Sequence, residues 1–208
     1  GPLMWIKEPP NVTDFINSTL KNVDGKHGFA FCTHGAMPAL YLARVVPAME
    51  QRGLTIIGWN DWFGGVYFPC VPKPYFTDGH PDAIDHKEAE DFGREMVERS
   101  RRIYAGETQL IPEFPRGREY DRLYNPLLTA GTEKDRKATE KTFDRALSEE
   151  FKVNKEKCRY PQCTFCIDNC PMGAIDFSVF PPLFDRSSAK CFLCEMACPE
   201  GAIEFNFG

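Results

Sequence analysis

No apolar run in this chain approaches the roughly 18–20 residues that a membrane-spanning helix needs. The opening stretch, from Gly1 to Pro10, has no charged start ahead of a long apolar core, so no export signal is expected. Basic residues are in the minority. Against 30 Asp and Glu stand 25 Lys and Arg, a net charge of −5, which argues against the cationic face that nucleic acid selects. No Ser, His and Asp fall in a recognisable triad, and no paired carboxylates stand in a catalytic context. Disorder is excluded as well, because 42% of the 208 residues are hydrophobic, enough to bury a core. The length suits one generous domain or two small ones.

Cysteine is what the chain has in unusual number, nine in all. Cys32 and Cys70 stand alone and read as ordinary buried thiols. The other seven (Cys158, Cys163, Cys166, Cys170, Cys191, Cys194 and Cys198) crowd into the 41 residues from 158 to 198. A secreted disulfide scaffold would spread them more evenly and carry a leader. Crowding in an acidic chain without one points to metal ligation in a reducing, cytoplasmic setting.

Residues 1–106 alternate helical and strand signals. A helix is expected from Asn11, with Val12, Phe15, Ile16, Thr19 and Leu20 along one face. An apolar strand over 28–33 ends at His34-Gly35, and a helix over 38–52, kinked by Pro47, stops at Gly53. Leu54 to Trp59 reads as a second buried strand, and residues 81–104 as a long helix. This order implies a parallel α/β sheet. Prolines and glycines over 107–131 read as a surface linker, and 132–150 as a charged connecting helix. From about 151 the chain becomes cysteine-rich and proline-punctuated, which marks a domain boundary.

That last segment contains a repeat. Cys163-Thr-Phe-Cys166-Ile-Asp-Asn-Cys170-Pro171-Met-Gly-Ala-Ile-Asp-Phe177 matches Cys191-Phe-Leu-Cys194-Glu-Met-Ala-Cys198-Pro199-Glu-Gly-Ala-Ile-Glu-Phe205, offset by 28 residues throughout. Thiolates are soft ligands for iron, and two residues between them let one loop turn aim several sulfurs at neighbouring metal positions. A structural zinc site is the simpler alternative, since four cysteines in two pairs suffice for it. Disulfides are the weakest alternative.

The repeat resembles the bacterial two-cluster ferredoxins, whose C-x2-C-x2-C-x3-C-P runs each bind a 4Fe-4S cluster and lend their last cysteine to the opposite cluster. The resemblance implies that Cys158, Cys163, Cys166 and Cys198 hold one cluster, and that Cys170, Cys191 and Cys194 hold a second. Here the chain departs from the family, for Tyr160 and Ser188 stand where each first ligand belongs. Cys158 substitutes in the first copy. In the second, Ser188, Asp185 or water is left to complete a 4Fe-4S cluster; otherwise the cluster is 3Fe-4S or absent.

Residues 1–106 resemble the second half of a flavodoxin-like domain, in the family that fuses such a domain to a two-cluster ferredoxin. Gly1 to Trp5 is similar to the loop after that fold's third strand, and Phe31-Cys32-Thr33-His34-Gly35 to the fourth strand and its flavin-side loop. The resemblance implies Trp5, Thr33, His34 and Gly35 as contacts of FMN. The glycine- and hydroxyl-rich loop that grips the FMN phosphate has no counterpart here, so little FMN binding is expected of this chain alone. Two parallel strands also cannot cover both faces of a sheet. A longer natural chain, a second copy or a partner chain is expected to cover it. Asp78, His80, Asp82, Asp85 and His86 invite a metal reading, which turn and helix-cap roles explain more cheaply. Trp59 and Trp62 are assigned to packing ahead of framing a flavin.

Together these readings imply a cytoplasmic carrier of anaerobic metabolism that relays single electrons between redox partner proteins. The alternative is an FMN-dependent oxidoreductase, or a subunit of one, whose clusters feed the flavin. A third class is a module whose clusters only fold the domain.

Overall fold

The structure, a computed structural model, describes residues 2–66, 74–75, 77–125, 134, 137–138, 141, 150–185 and 187–205. The chain divides into two compact units, Gly1–Val66 with Pro74–Arg136, and Lys137–Gly208. It is a mixed α/β protein with a small parallel sheet and flanking helices. Among the described residues no helix is long and apolar enough to cross a membrane.

In the first unit, α1 (Pro10–Asp14) runs into one π-turn over Phe15–Thr19, closed by the Leu20 N–H donating to the Phe15 carbonyl at 3.1 Å. Strands β1 (His27–His34) and β2 (Thr55–Phe63) pair in parallel, from His27 opposite Thr55 to His34 opposite Phe63, with one irregularity between Gly28 and Phe29. Between them α2 (Tyr41–Gln51) continues through Pro47. It ends at Gly53, whose φ of +96° is one that glycine adopts without strain.

Strand side chains alternate between faces, so each face receives one helix. Ala30, Cys32 and Ile56 meet Leu42, Val45 and Val46 of α2 on one face. Ile57 meets Met96 and Ile103 of α3 (Ala83–Tyr104) on the other. Helix α3 starts with a capping box: Asp82 accepts from the Ile84 and Asp85 amides, and Asp85 accepts from the Asp82 amide. Phe29 and Phe31 of β1 stay 42% and 43% exposed, which leaves part of the sheet face uncovered within the unit.

The expected surface linker over 107–131 is corrected by the packing of its described part. A 3-10 turn (Thr108–Leu110) and α4 (Arg118–Tyr124) flank Phe114, and both Phe114 and Tyr120 are buried with α2 and the sheet. Tyr120 donates to the Ala39 carbonyl at 2.9 Å, and Trp59 Nε1 donates to Tyr124 Oη at 2.8 Å. Single aromatic anchors between prolines carry no periodicity, which is why the sequence reads as a loop there. The expected helix over 132–150 lies almost wholly outside the described residues, as does Cys70.

In the second unit the repeat becomes a structural pseudo-repeat. Single-turn helices α5 (Phe165–Asp168) and α6 (Leu193–Met196) occupy matched positions. So do Gly173 and Gly201, at φ +57° and +54°. Each copy's tail forms a strand that pairs antiparallel with the strand preceding the other copy. β4 (Ile175–Asp176) pairs with β5 (Leu183–Phe184), and β6 (Ile203–Phe205) pairs with β3 (Phe151–Val153). Phe151, Phe184, Phe192 and Phe205 pack together, with ring centroids 4.8–5.6 Å apart in the contacting pairs.

Candidate metal centre

The crossed strand pairing brings cysteines from both copies to the same place. Cys158, Cys163 and Cys166 line one cavity with Cys198 from the second copy. Its volume is about 410 Å³, part of it open to solvent, and Val153, Phe165, Phe177, Pro182, Ala202 and Ile203 supply apolar walls. At its rim Arg159 pairs with Glu200 at 3.0 Å, tying the two copies together.

A second cavity, of about 310 Å³, is lined by Cys191 and Cys194 with Cys170 from the first copy. Ser188 also lines it, among Phe151, Ile175, Phe184, Ala189 and Phe192. Asp185, an expected alternative ligand, does not line this cavity; its carboxylate instead accepts the Ser187 amide at 2.7 Å.

The two crossing cysteines are held identically. The Ala174 N–H donates to Cys170 Sγ at 3.4 Å and the Ala202 N–H to Cys198 Sγ at 3.3 Å. Such bonds favour the charged thiolate and tune any metal it holds. Burial pushes the Cys194 thiol up to about 12, with Cys191 adding to the effect. It also raises Cys166, where Cys198 and Cys158 contribute further. Buried, mutually repelling thiols are costly to ionise without a cation, and binding one releases their protons.

All eight described cysteines are free thiols. Four cysteines line the first cavity, and three line the second with Ser188, donors of the kind that zinc or an iron–sulfur core takes.

In the first unit, Thr33 accepts the Leu3 N–H at 2.7 Å, and Pro2 forms a parallel bridge to Thr33. Trp5, two residues on, is half-buried in a left-handed conformation with φ 64°. Gly35 sits against Val66, where a Cβ would come within 2.7 Å. His34 is buried, its Nε2 hydrogen-bonded to Asp61 Oδ2 at 2.8 Å, its ring edge-on to Phe63, and its Nδ1 without a partner. Asp61 has no signal of its own in the sequence, because its contact with His34 depends on strand register. Cys32 is fully buried and its thiol is pushed up to about 12 by burial.

His80, Asp82 and Asp85 bring ligand atoms within 4.8 Å of one another. Those atoms are already committed: Asp82 and Asp85 form the capping box, and His80 Nδ1 bonds Asp85 at 2.6 Å. Trp59 and Trp62 pack on Phe114 and on Phe31 with Phe92, respectively.

Comparison of the chain with family models, with curated proteins and with solved structures finds no match.

Proposed function

We propose that this chain is an electron-transfer protein that relays single electrons between redox partners through two cysteine-ligated iron–sulfur clusters. One observation carries the reading: each of two neighbouring cavities collects cysteines from both copies of the repeat, Cys158, Cys163, Cys166 and Cys198 in one and Cys170, Cys191, Cys194 with Ser188 in the other. The crossing, together with the C-x3-C-P endings, is the pattern of the two-cluster ferredoxins that the segment resembles.

When bound, such clusters supply a one-electron couple. The protein's part is to hold and shield them. Thiolates fix the irons, the apolar walls limit water, and the Ala174 and Ala202 amides stabilise charge on Cys170 and Cys198. The first cavity takes a 4Fe-4S cluster and the second a 4Fe-4S or 3Fe-4S cluster. Cytoplasmic residence follows from the need to keep seven thiols reduced.

A second reading, an FMN-dependent oxidoreductase or a subunit of one, is favoured by the buried His34–Asp61 pair. It lies at the carboxyl ends of parallel strands, where α/β sheets of this kind bind ligands. Potentiometric titration of anaerobically purified protein, followed by electron paramagnetic resonance with flavin quantified in parallel, tests both. Reversible one-electron cluster signals without stoichiometric flavin support the carrier. Stoichiometric flavin reduced through the clusters supports the oxidoreductase, and the absence of any reducible centre removes both.

A further inference from the structure

We propose that Lys190 sets the reduction potential of the second site, raising its one-electron couple with a positive charge that has no counterpart in the first copy of the repeat. The inference rests on the cluster reading above and concerns one side chain of this chain.

The turn that leads into the second cavity fixes where Lys190 starts. Its backbone is left-handed, with φ 52°, and its N–H donates to Ser188 Oγ at 3.2 Å. From there the side chain reaches the aromatic cluster. Its Nζ lies 5.2 Å from the centre of the Phe151 ring and 5.5 Å from that of Phe205. Both distances fall within the roughly 6 Å at which an ammonium is attracted to a ring face.

Phe151 serves two purposes. It carries the ammonium and it also forms part of the wall of the second cavity, with Phe192, Cys170, Cys191 and Cys194. Phe151 and Phe192 are buried, so the charge sits against packed rings at the cavity wall. A charge acts far more strongly through such apolar packing than through water.

The repeat makes the two sites comparable. The 28-residue offset matches Lys190 with Gln162, which is neutral and exposed. The cation at the rim of the first cavity, Arg159, is paired with Glu200 at 3.0 Å. On the neighbouring strand pair, Lys157 meets Glu204 at 3.8 Å. In the second copy the acid next to Cys194 is Glu195, where the first has Ile167. A carboxylate there opposes Lys190 and leaves the direction of the lysine's own effect unchanged.

Reduction adds one electron to the site, and a nearby cation favours that more negative state. Lys190 makes and breaks no bond in the process and keeps its proton. Its contribution is a fixed charge.

The test is a potentiometric titration of the full chain, prepared anaerobically and followed by electron paramagnetic resonance, with dithionite as reductant and ferricyanide as oxidant. The second couple is the one that Cys191→Ser removes. Lys190→Met keeps the apolar stem and should move that couple to lower potential while the other stays in place. Lys190→Arg should hold the wild-type value. The displacement should persist in about 1 M salt, where exposed charges are screened within about 3 Å. A second couple left in place by Lys190→Met, or moved no more than the first, overturns the inference and leaves the carrier reading standing. Equal shifts in Lys190→Met and Lys190→Arg, or a shift that salt abolishes, overturn it in the same way. Protein with no couple that Cys191→Ser removes overturns both.

Discussion

Cys198 shares a cavity with Cys163, although the two belong to different copies of the repeat. Sequence proximity would group Cys198 with Cys191 and Cys194; the crossed strand pairing of β3 with β6 groups it otherwise. On the carrier reading, Cys198→Ser is therefore expected to damage the cluster proposed at Cys158, Cys163 and Cys166. Cys170→Ser should damage the one held by Cys191 and Cys194. Spectra of each variant compared with Cys163→Ser and Cys191→Ser check this, and a Cys198→Ser spectrum matching Cys191→Ser would refute the crossing.

Ligation should supply much of the stability of the second unit. Over residues 150–205 its described strands are two or three residues long and its described helices single turns, elements that are marginal in water by themselves. Chelation under oxidising conditions should abolish its near-UV signal and expose residues 151–205 to protease, while the first unit keeps its helical signal. Unchanged protease resistance after iron removal would contradict this.

Tyr120 tests whether residues 107–125 belong to the core of the first unit. Truncation of a buried aromatic costs about 3–5 kcal/mol, so Tyr120→Ala should destabilise by that order. Tyr120→Phe leaves the Ala39 carbonyl without its donor and should cost about 1–3 kcal/mol. Urea denaturation measures both. Losses within about 0.5 kcal/mol, as at an exposed linker position, would show that the packing is not structural.

The sequence pattern shows most of this architecture because periodic burial and fixed spacing are local. Strands at 28–33 and 54–59 extend only to His34 and Phe63, and the long helix begins at Ala83 because the Asp82–Asp85 capping box fixes its start. Six of the seven clustered cysteines are matched by the 28-residue offset alone, whereas Cys158 and the division into two sets come from the resemblance. Three features are not local. Phe114 and Tyr120 reach the core as isolated anchors. The His34–Asp61 contact depends on a parallel register that slips between Gly28 and Phe29. The turns at Asn154 and Asp185 lie in short polar stretches, where an Asn or Asp three or four residues before a candidate ligand is the only local signal.

The first unit should also respond to pH through His80. Its hydrogen bond to Asp85 raises His80 above its ordinary 6.5. Asp85 is held below its ordinary 3.8, first by the Asp82 amide and then by His80. The His80 contribution is thus complete below 6.5 and fades as pH rises through its higher folded value. The Asp85 contribution is complete above 3.8 and fades as pH falls through its lower folded value. Melting followed by the helical signal should show a loss of stability above 6.5 that His80→Gln removes. An identical pH profile in the variant would contradict the assignment.

Iron and acid-labile sulfide, counted per chain in anaerobically purified protein, test the central claim most directly. The carrier account predicts sulfide and iron in nearly equal amounts, enough for two clusters, lost together when Cys163 and Cys191 are both replaced by serine. Zinc in place of iron, or bound iron with no acid-labile sulfide, would contradict it.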